Sequence, residues 1–231
     1  MKTRLLAITA ILVMTTVALQ AQVNFGLTGG VNFQNITGTS HGGDKLDNGL
    51  LVGFHAGVKL NVPIATDFYF QTGLLYSQNG AKSNEIIIQN KAANNDYSTV
   101  TRISYIELPL NLLFRPRFGN GHILLGFGPY VAMGIGGKQN YDASSTLTYV
   151  QTIKFKNTIT SSEYWDPENA YYKRLDAGAN IFAGYELEMG LFFQLNAQLG
   201  LLKINTVIED YSDDQGVFKN TGFGLSVGYM F

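Results

Sequence analysis

Cysteine is absent from the sequence, so neither a disulfide framework nor a thiolate metal site can hold this fold together. The same absence removes lipid attachment to a cysteine near the N-terminus. Charge is scarce too: Asp, Glu, Lys and Arg make up 14% of the residues, and the formal net charge is −1. A nucleic-acid partner, bound by neutralising phosphates, finds no basic surplus here. Mean hydropathy is nearly neutral at +0.04. The long uncharged apolar run, Leu5 to Leu19, falls short of the roughly 20 residues of a spanning helix.

That run follows Lys2 and Arg4 and precedes Gln20, Ala21 and Gln22. A positive start, an apolar stretch and a small residue at the break are the parts of a secretory signal. Residues 1–21 are therefore expected to be an export signal, and residues 22–231 one all-β domain. Glycine and aromatic residues are abundant, with 26 glycines and 13% Phe, Trp and Tyr; average glycine use is only about 7%.

Period-two alternation runs through the remaining chain, and it predicts eight strands. In the first, Phe25, Leu27, Val31 and Phe33 share one face, and Asn24, Gly26, Thr28, Gly30 and Asn32 the other. In the second, Leu50, Val52, Phe54, Val58 and Leu60 oppose Gly53, His55, Gly57, Lys59 and Asn61. The third carries Phe68, Phe70, Leu74 and Tyr76, and the fourth Ile106, Leu108, Leu110, Leu112 and Phe114. The fifth follows from Ile123, the sixth from Leu175 and the seventh from Leu191, where Leu195 lies on the apolar side. The eighth ends with Phe223, Leu225, Val227, Tyr229 and Phe231. Connections near 63–67, 115–121 and 188–190 are short. Those near 34–48, 79–98, 137–173 and 203–219 are long. Outer-membrane barrels have this alternation of short periplasmic turns and longer external loops.

The apolar face points inward in a soluble lipocalin-like barrel and outward in a membrane barrel. The glycines decide between them. They crowd the polar face at Gly26, Gly30, Gly53, Gly57, Gly126, Gly178, Gly222, Gly224 and Gly228. The interior of an eight-strand barrel is just wide enough for packed side chains, whereas strand glycines on a soluble surface cost entropy for no packing gain. Aromatic residues near strand ends suit interfacial girdles. The expected fold is an eight-stranded antiparallel up-and-down transmembrane β-barrel with long extracellular loops. The soluble alternative would turn Phe25, Phe54 and Leu195 inward.

Several segments resemble the PorT-like outer-membrane β-barrel family: Tyr105-Ile-Glu-Leu-Pro-Leu-Asn-Leu112, Gly126-Phe-Gly-Pro-Tyr-Val-Ala132 with Gly136-Gly-Lys138, Asp176-Ala-Gly178, Gly184-Tyr-Glu186 and the closing Gly228-Tyr-Met-Phe231. The resemblance implies a small barrel of the OmpA/OmpX type and no particular activity. A final strand ending at Phe231 looks like the signal read by barrel-assembly machinery. The long connection 137–173 departs from the pattern.

Inside the barrel, Lys59, Glu107, Tyr130 and Asp176 form the expected polar cluster, read either as a proton or ion relay or as hydrogen-bonded packing. Two facing carboxylates there would share a proton or recruit a cation such as Arg102 or Lys59. His41, His55 and His122 lack the spacing of a metal site. Ser77, Ser104 and Ser226 are lumen candidates without a nucleophile motif. Outside, Tyr164, Trp165, Tyr171 and Tyr172 are candidate binding aromatics, and the acidic stretches 163–168 and 210–214 lack the regular spacing of a calcium loop. Segments 85–89 and 146–159 have the composition to extend the sheet outward, as a stiffened loop or a docking edge.

The resulting expectation is a non-enzymatic outer-membrane protein without a cofactor, bound to outer-membrane lipid. Its external loops would bind or support an envelope or secretion component or an extracellular ligand. The rival from another class is a membrane enzyme acting on lipid or peptide, which requires Ser, His and an acid near one rim.

Overall fold

A computed structural model describes residues 23–40, 43–83, 97–143, 148–209 and 216–231. The signal segment, His41, 85–89 and 210–214 lie outside the described residues.

Eight long strands form the wall: β1 (Asn24–Thr39), β2 (Leu51–Ala65), β3 (Phe68–Ser83), β4 (Tyr97–Phe114), β5 (Gly121–Ala143), β6 (Leu175–Leu187), β7 (Leu191–Gly200) and β8 (Val217–Met230). Each pairs antiparallel with the next. β8 returns to β1, with Gly26 opposite Met230 and Thr39 opposite Val217. The ring therefore closes without a free edge, as a wall in hydrocarbon requires.

The short connections are tight. Asp67 takes φ 61 in the β2–β3 turn, and Gly190 takes φ 90 before β7. At the other end the strands run further than expected. β4 begins at Tyr97 and β5 reaches Ala143, paired from Tyr97–Ala143 to Ile103–Gly137. β-branched Thr99, Val100, Thr101 and Ile103 on the β4 side favour this pairing beyond the length needed to cross a bilayer. The short strand Thr148–Phe155 continues the sheet from β5. Asn169–Tyr172 lies parallel to it on its other side, so that edge is occupied and the connection 137–173 is stiffened from within. Thr158–Ile159 pairs with Val207–Ile208, tying this loop to the last one.

The alternation sorts as the glycines require. Phe25, Phe54 and Leu195 are 45%, 50% and 62% exposed on the outer wall, the reverse of the soluble alternative. Large interior side chains use the glycine positions. A Cβ added at Gly126 would lie 2.2 Å from the Phe182 ring, and one at Gly228 2.3 Å from the Phe192 ring. The interior side chains form layers. Leu113, Leu124, Phe182, Phe192 and Met230 cluster near the turns. Ile36, Ile103, Tyr105, Tyr130, Ile153 and Ile204 are among those that cluster toward the loops. Along β4, buried Asn111 and Glu107 lie between Leu113 of the first cluster and Tyr105 of the second.

Candidate functional site

Asp176 is fully buried on β6. Its Oδ2 accepts from Asn220 Nδ2 at 2.8 Å and from Tyr130 Oη at 3.3 Å, and Asn220 also donates to Tyr105 Oη at 3.3 Å. Glu107 lies in the same cross-strand row, since it and Asp176 both pair with Ala132 of β5. Its own partner is Gln198, whose Nε2 donates to Oε2 at 2.9 Å. Lys59 stands apart. Its ammonium donates to Gln194 at 2.8 Å and faces the rings of Phe182 and Phe192 at 5.6 and 5.1 Å.

Among the four interior candidates, then, hydrogen bonding joins Tyr130 to Asp176 and leaves Glu107 and Lys59 with amide partners. Neither expected counter-cation reaches the carboxylates. Lys59 is held by Gln194, and Arg102 lies on the outer face, where its Nη1 donates to the Val52 carbonyl at 3.4 Å. Ser104 is likewise corrected to the outer face, bonded to Tyr76 Oη at 2.8 Å. Period two carried upward from Ile106 places both residues there.

A second network links five strands. His55 Nδ1 lies 2.7 Å from Asn32 Oδ1, and Nε2 lies 2.8 Å from Ser226 Oγ. Ser226 also meets Asn196 at 2.9 Å, and Asn32 donates to Ser77 at 3.2 Å. The Ser226–His55–Asn32 contact has the reach of a nucleophile, base and orienting group. Alternation alone did not reveal it, since the three residues sit on β8, β2 and β1. All three are buried beside a cavity of about 70 Å³ that Lys59, Glu107 and Gln198 also line. That space holds a few waters and leaves no room for a lipid or peptide substrate. Among the described residues, no group of three or more His, Asp or Glu side chains is placed to hold a metal ion.

The external aromatics divide in two. Thr160 caps helix α1 (Ser161–Tyr164) in a reciprocal capping box with Glu163, and Glu163 also pairs with Lys156. Asp166 then accepts from the backbone of Glu168 and Asn169 at 2.8 and 3.1 Å, from Asn169 Nδ2 at 2.8 Å and from Tyr171 Oη at 3.2 Å. The side-chain hydrogen bond from Lys156 draws the Glu163 carboxyl below its ordinary value, and the Asn169 side chain does the same for Asp166. Between these two anchors stands Trp165, 67% exposed, edge-on to Tyr164 at 5.1 Å. Tyr171 is occupied by Asp166 and by Lys156, which lies 5.7 Å above its ring. Tyr172 turns inward, bonds Gln139 at 3.1 Å and packs on the loop-side cluster.

A closed ring of eight antiparallel strands, apolar outward, with short turns at one end and long sheet-extended loops at the other, is the construction of a bilayer-spanning barrel. The chain belongs to the family described as the outer membrane protein beta-barrel domain, which matches residues 20–205, and its place is the outer membrane. No curated protein matches it. Among solved structures it is similar to Ail, the attachment invasion locus protein of Yersinia pestis, seen in complex with the heparin analogue sucrose octasulfate. Identity there is 12%, coverage 90% of this chain and 99% of the other, and the TM-score 0.38. Neisserial surface protein A is similar at 10% identity, over 90% and 97% of the two chains, with a TM-score of 0.39.

Proposed function

We propose that this is a non-enzymatic outer-membrane barrel of PorT-like type that binds an envelope component or an extracellular ligand through its external loops. Trp165 and Tyr164 are the anchors. The observation that carries this reading is the exposure of the only tryptophan in the chain on a turn locked by a capping box, an ion pair and the bonds to Asp166. Large aromatic surface on a rigid support binds at low entropic cost. Tyr171 and Tyr172 support the turn from behind. The interior is read as filled with side chains, with Lys59, Glu107, Tyr130 and Asp176 as hydrogen-bonded packing; the small volume left between the two apolar clusters supports this. Residues 1–21 act as the export signal. The terminal strand, with Phe231 stacked on Phe25 at 4.8 Å, is what the assembly machinery engages.

The test is photo-crosslinking from position 168, exposed on the same turn as Trp165, in intact cells, with position 118 at the turn end as control. A discrete adduct from 168 alone is expected. Added purified barrel should compete it away, and the Trp165→Ala barrel should not. No adduct at 168, or equal competition by the variant, would overturn the reading.

A further inference from the structure

Two cations face each other on the outer wall. Arg102 of β4 and Lys138 of β5 are direct cross-strand partners, and the outward position of Arg102 places both side chains on the outer face. Like charges in such a pair repel and destabilise the sheet. The same row continues to Gly80 on β3 and Thr152 on the short strand beyond β5. Arg102 reaches past β3 to the Val52 carbonyl of β2, 3.4 Å from its Nη1. One diagonal step in each direction adds another cation. Lys82 pairs with Val100, two residues from Arg102, and Lys154 follows Thr152 by two residues on the same face. Lys82, Arg102, Lys138 and Lys154 thus form a stripe across four adjacent strands. Among the described residues none of the four is in a salt bridge. Asp142, a carboxylate further along β5, pairs with Ser98 beyond the next outward row.

The height of the stripe identifies its environment. A tilted strand crosses the hydrocarbon in roughly 9–11 residues. Counted from Phe114, whose ring lies tilted against Phe68 at 4.9 Å at the turn end, that span ends near Ser104, beside the Phe54–Tyr76 aromatic pair. The next outward residue on β4 is Arg102. On β5, Met133 and Ile135 are exposed below Lys138. The cations therefore begin where hydrocarbon gives way to headgroups, at the end that faces the outer leaflet.

We propose that Lys82, Arg102, Lys138 and Lys154 form a binding site for the phosphate groups of an anionic outer-leaflet lipid. Its acyl chains lie along the apolar wall below. Phosphate relieves the repulsion between Arg102 and Lys138, and the planar guanidinium accommodates its oxygens.

The experiment is native mass spectrometry of the detergent-folded barrel titrated with three probes: lipid A (a phosphorylated multi-acyl glycolipid), lipid A stripped of its phosphates, and inorganic phosphate. Lipid A should be retained, while Arg102→Gln/Lys138→Gln and Lys138→Gln/Lys154→Gln should each weaken it by on the order of tenfold. The second variant removes neither the Val52 bond nor a salt bridge, so it remains informative if the first folds poorly. Lys45→Gln/Lys203→Gln, of equal net charge and elsewhere on the rim, should leave retention unchanged. Equal retention by the stripe variants, equal loss in the rim control, or equal retention of the dephosphorylated lipid would overturn the proposal. Binding of inorganic phosphate as tight as that of lipid A would also overturn it, and would indicate a site for soluble anions.

Discussion

Arg115 holds Glu186 with two hydrogen bonds across the turn end of the barrel, Nε to Oε2 at 3.0 Å and Nη2 to Oε1 at 2.7 Å. The side chains are 14% and 5% exposed, and Tyr69 completes the group with its hydroxyl 3.5 Å from Arg115 Nη1. A residue that reads as part of a short turn thus closes the wall between β4 and β6 by way of its side chain.

Arg115→Ala leaves Glu186 buried without its partner, which costs about 3–5 kcal/mol where a buried pair is broken from one side. Urea unfolding in lipid vesicles should show that loss. Replacing both residues with alanine should cost less than the sum of the single changes.

Gly126→Val places a branched side chain where the Phe182 ring lies. Overpacking of this kind costs roughly 1–3 kcal/mol. Adding Phe182→Ala to the same chain should restore part of the stability, and unfolding midpoints of the three variants provide the measurement. An unchanged midpoint for Gly126→Val would mean that the ring moves aside freely.

Trp165→Ala should change stability by no more than about 0.5 kcal/mol, since the side chain is exposed and its support comes from Thr160, Glu163 and Asp166. Trp165 is also the only tryptophan, so its emission reports this ledge alone. A ligand that covers the ledge should shift the emission to the blue, and the variant should lose both the signal and the binding.

Acid should loosen the ledge before the barrel. The Glu163 and Asp166 carboxyls lie below their ordinary values in the folded loop. Their contribution to loop order is therefore complete above the unfolded carboxylate range and is lost as pH falls through the folded values. Fluorescence anisotropy of Trp165 should drop over that interval while β-sheet circular dichroism holds. High salt should weaken the Lys156–Glu163 part of the effect, and Glu163→Gln should remove the Glu163 share of the pH dependence.

Single-cysteine labelling is clean in a chain without cysteine. A probe at Ser161 should react with an impermeant reagent on intact cells, and probes at Ala65 and Asn120 only after the envelope is opened. The reverse pattern would invert the barrel.

Much of this protein was legible in its residues. Alternation named the eight strands and their faces, because a strand side chain has two directions and one of them meets hydrocarbon. The glycines then decided which direction was inward, since Phe182 and Phe192 need the space that Gly126 and Gly228 leave open. The reach of β4 and β5 beyond the bilayer was less visible, because pairing outside the membrane needs no apolar face.

Pattern along one strand is silent about what stands opposite on another. Register between strands, and side chains that cross the lumen, set those meetings. So only the tertiary structure joined Asp176 to Asn220 and Tyr130, placed Ser226 against His55 and Asn32, drew Arg115 from a turn to Glu186, and set Lys138 beside Arg102. The sequence by itself determined a membrane-crossing barrel with its wall, its turns and its aromatic loop. Closure of that barrel decided which polar groups become partners, because distance across the ring is a property of the closed sheet and of no single strand.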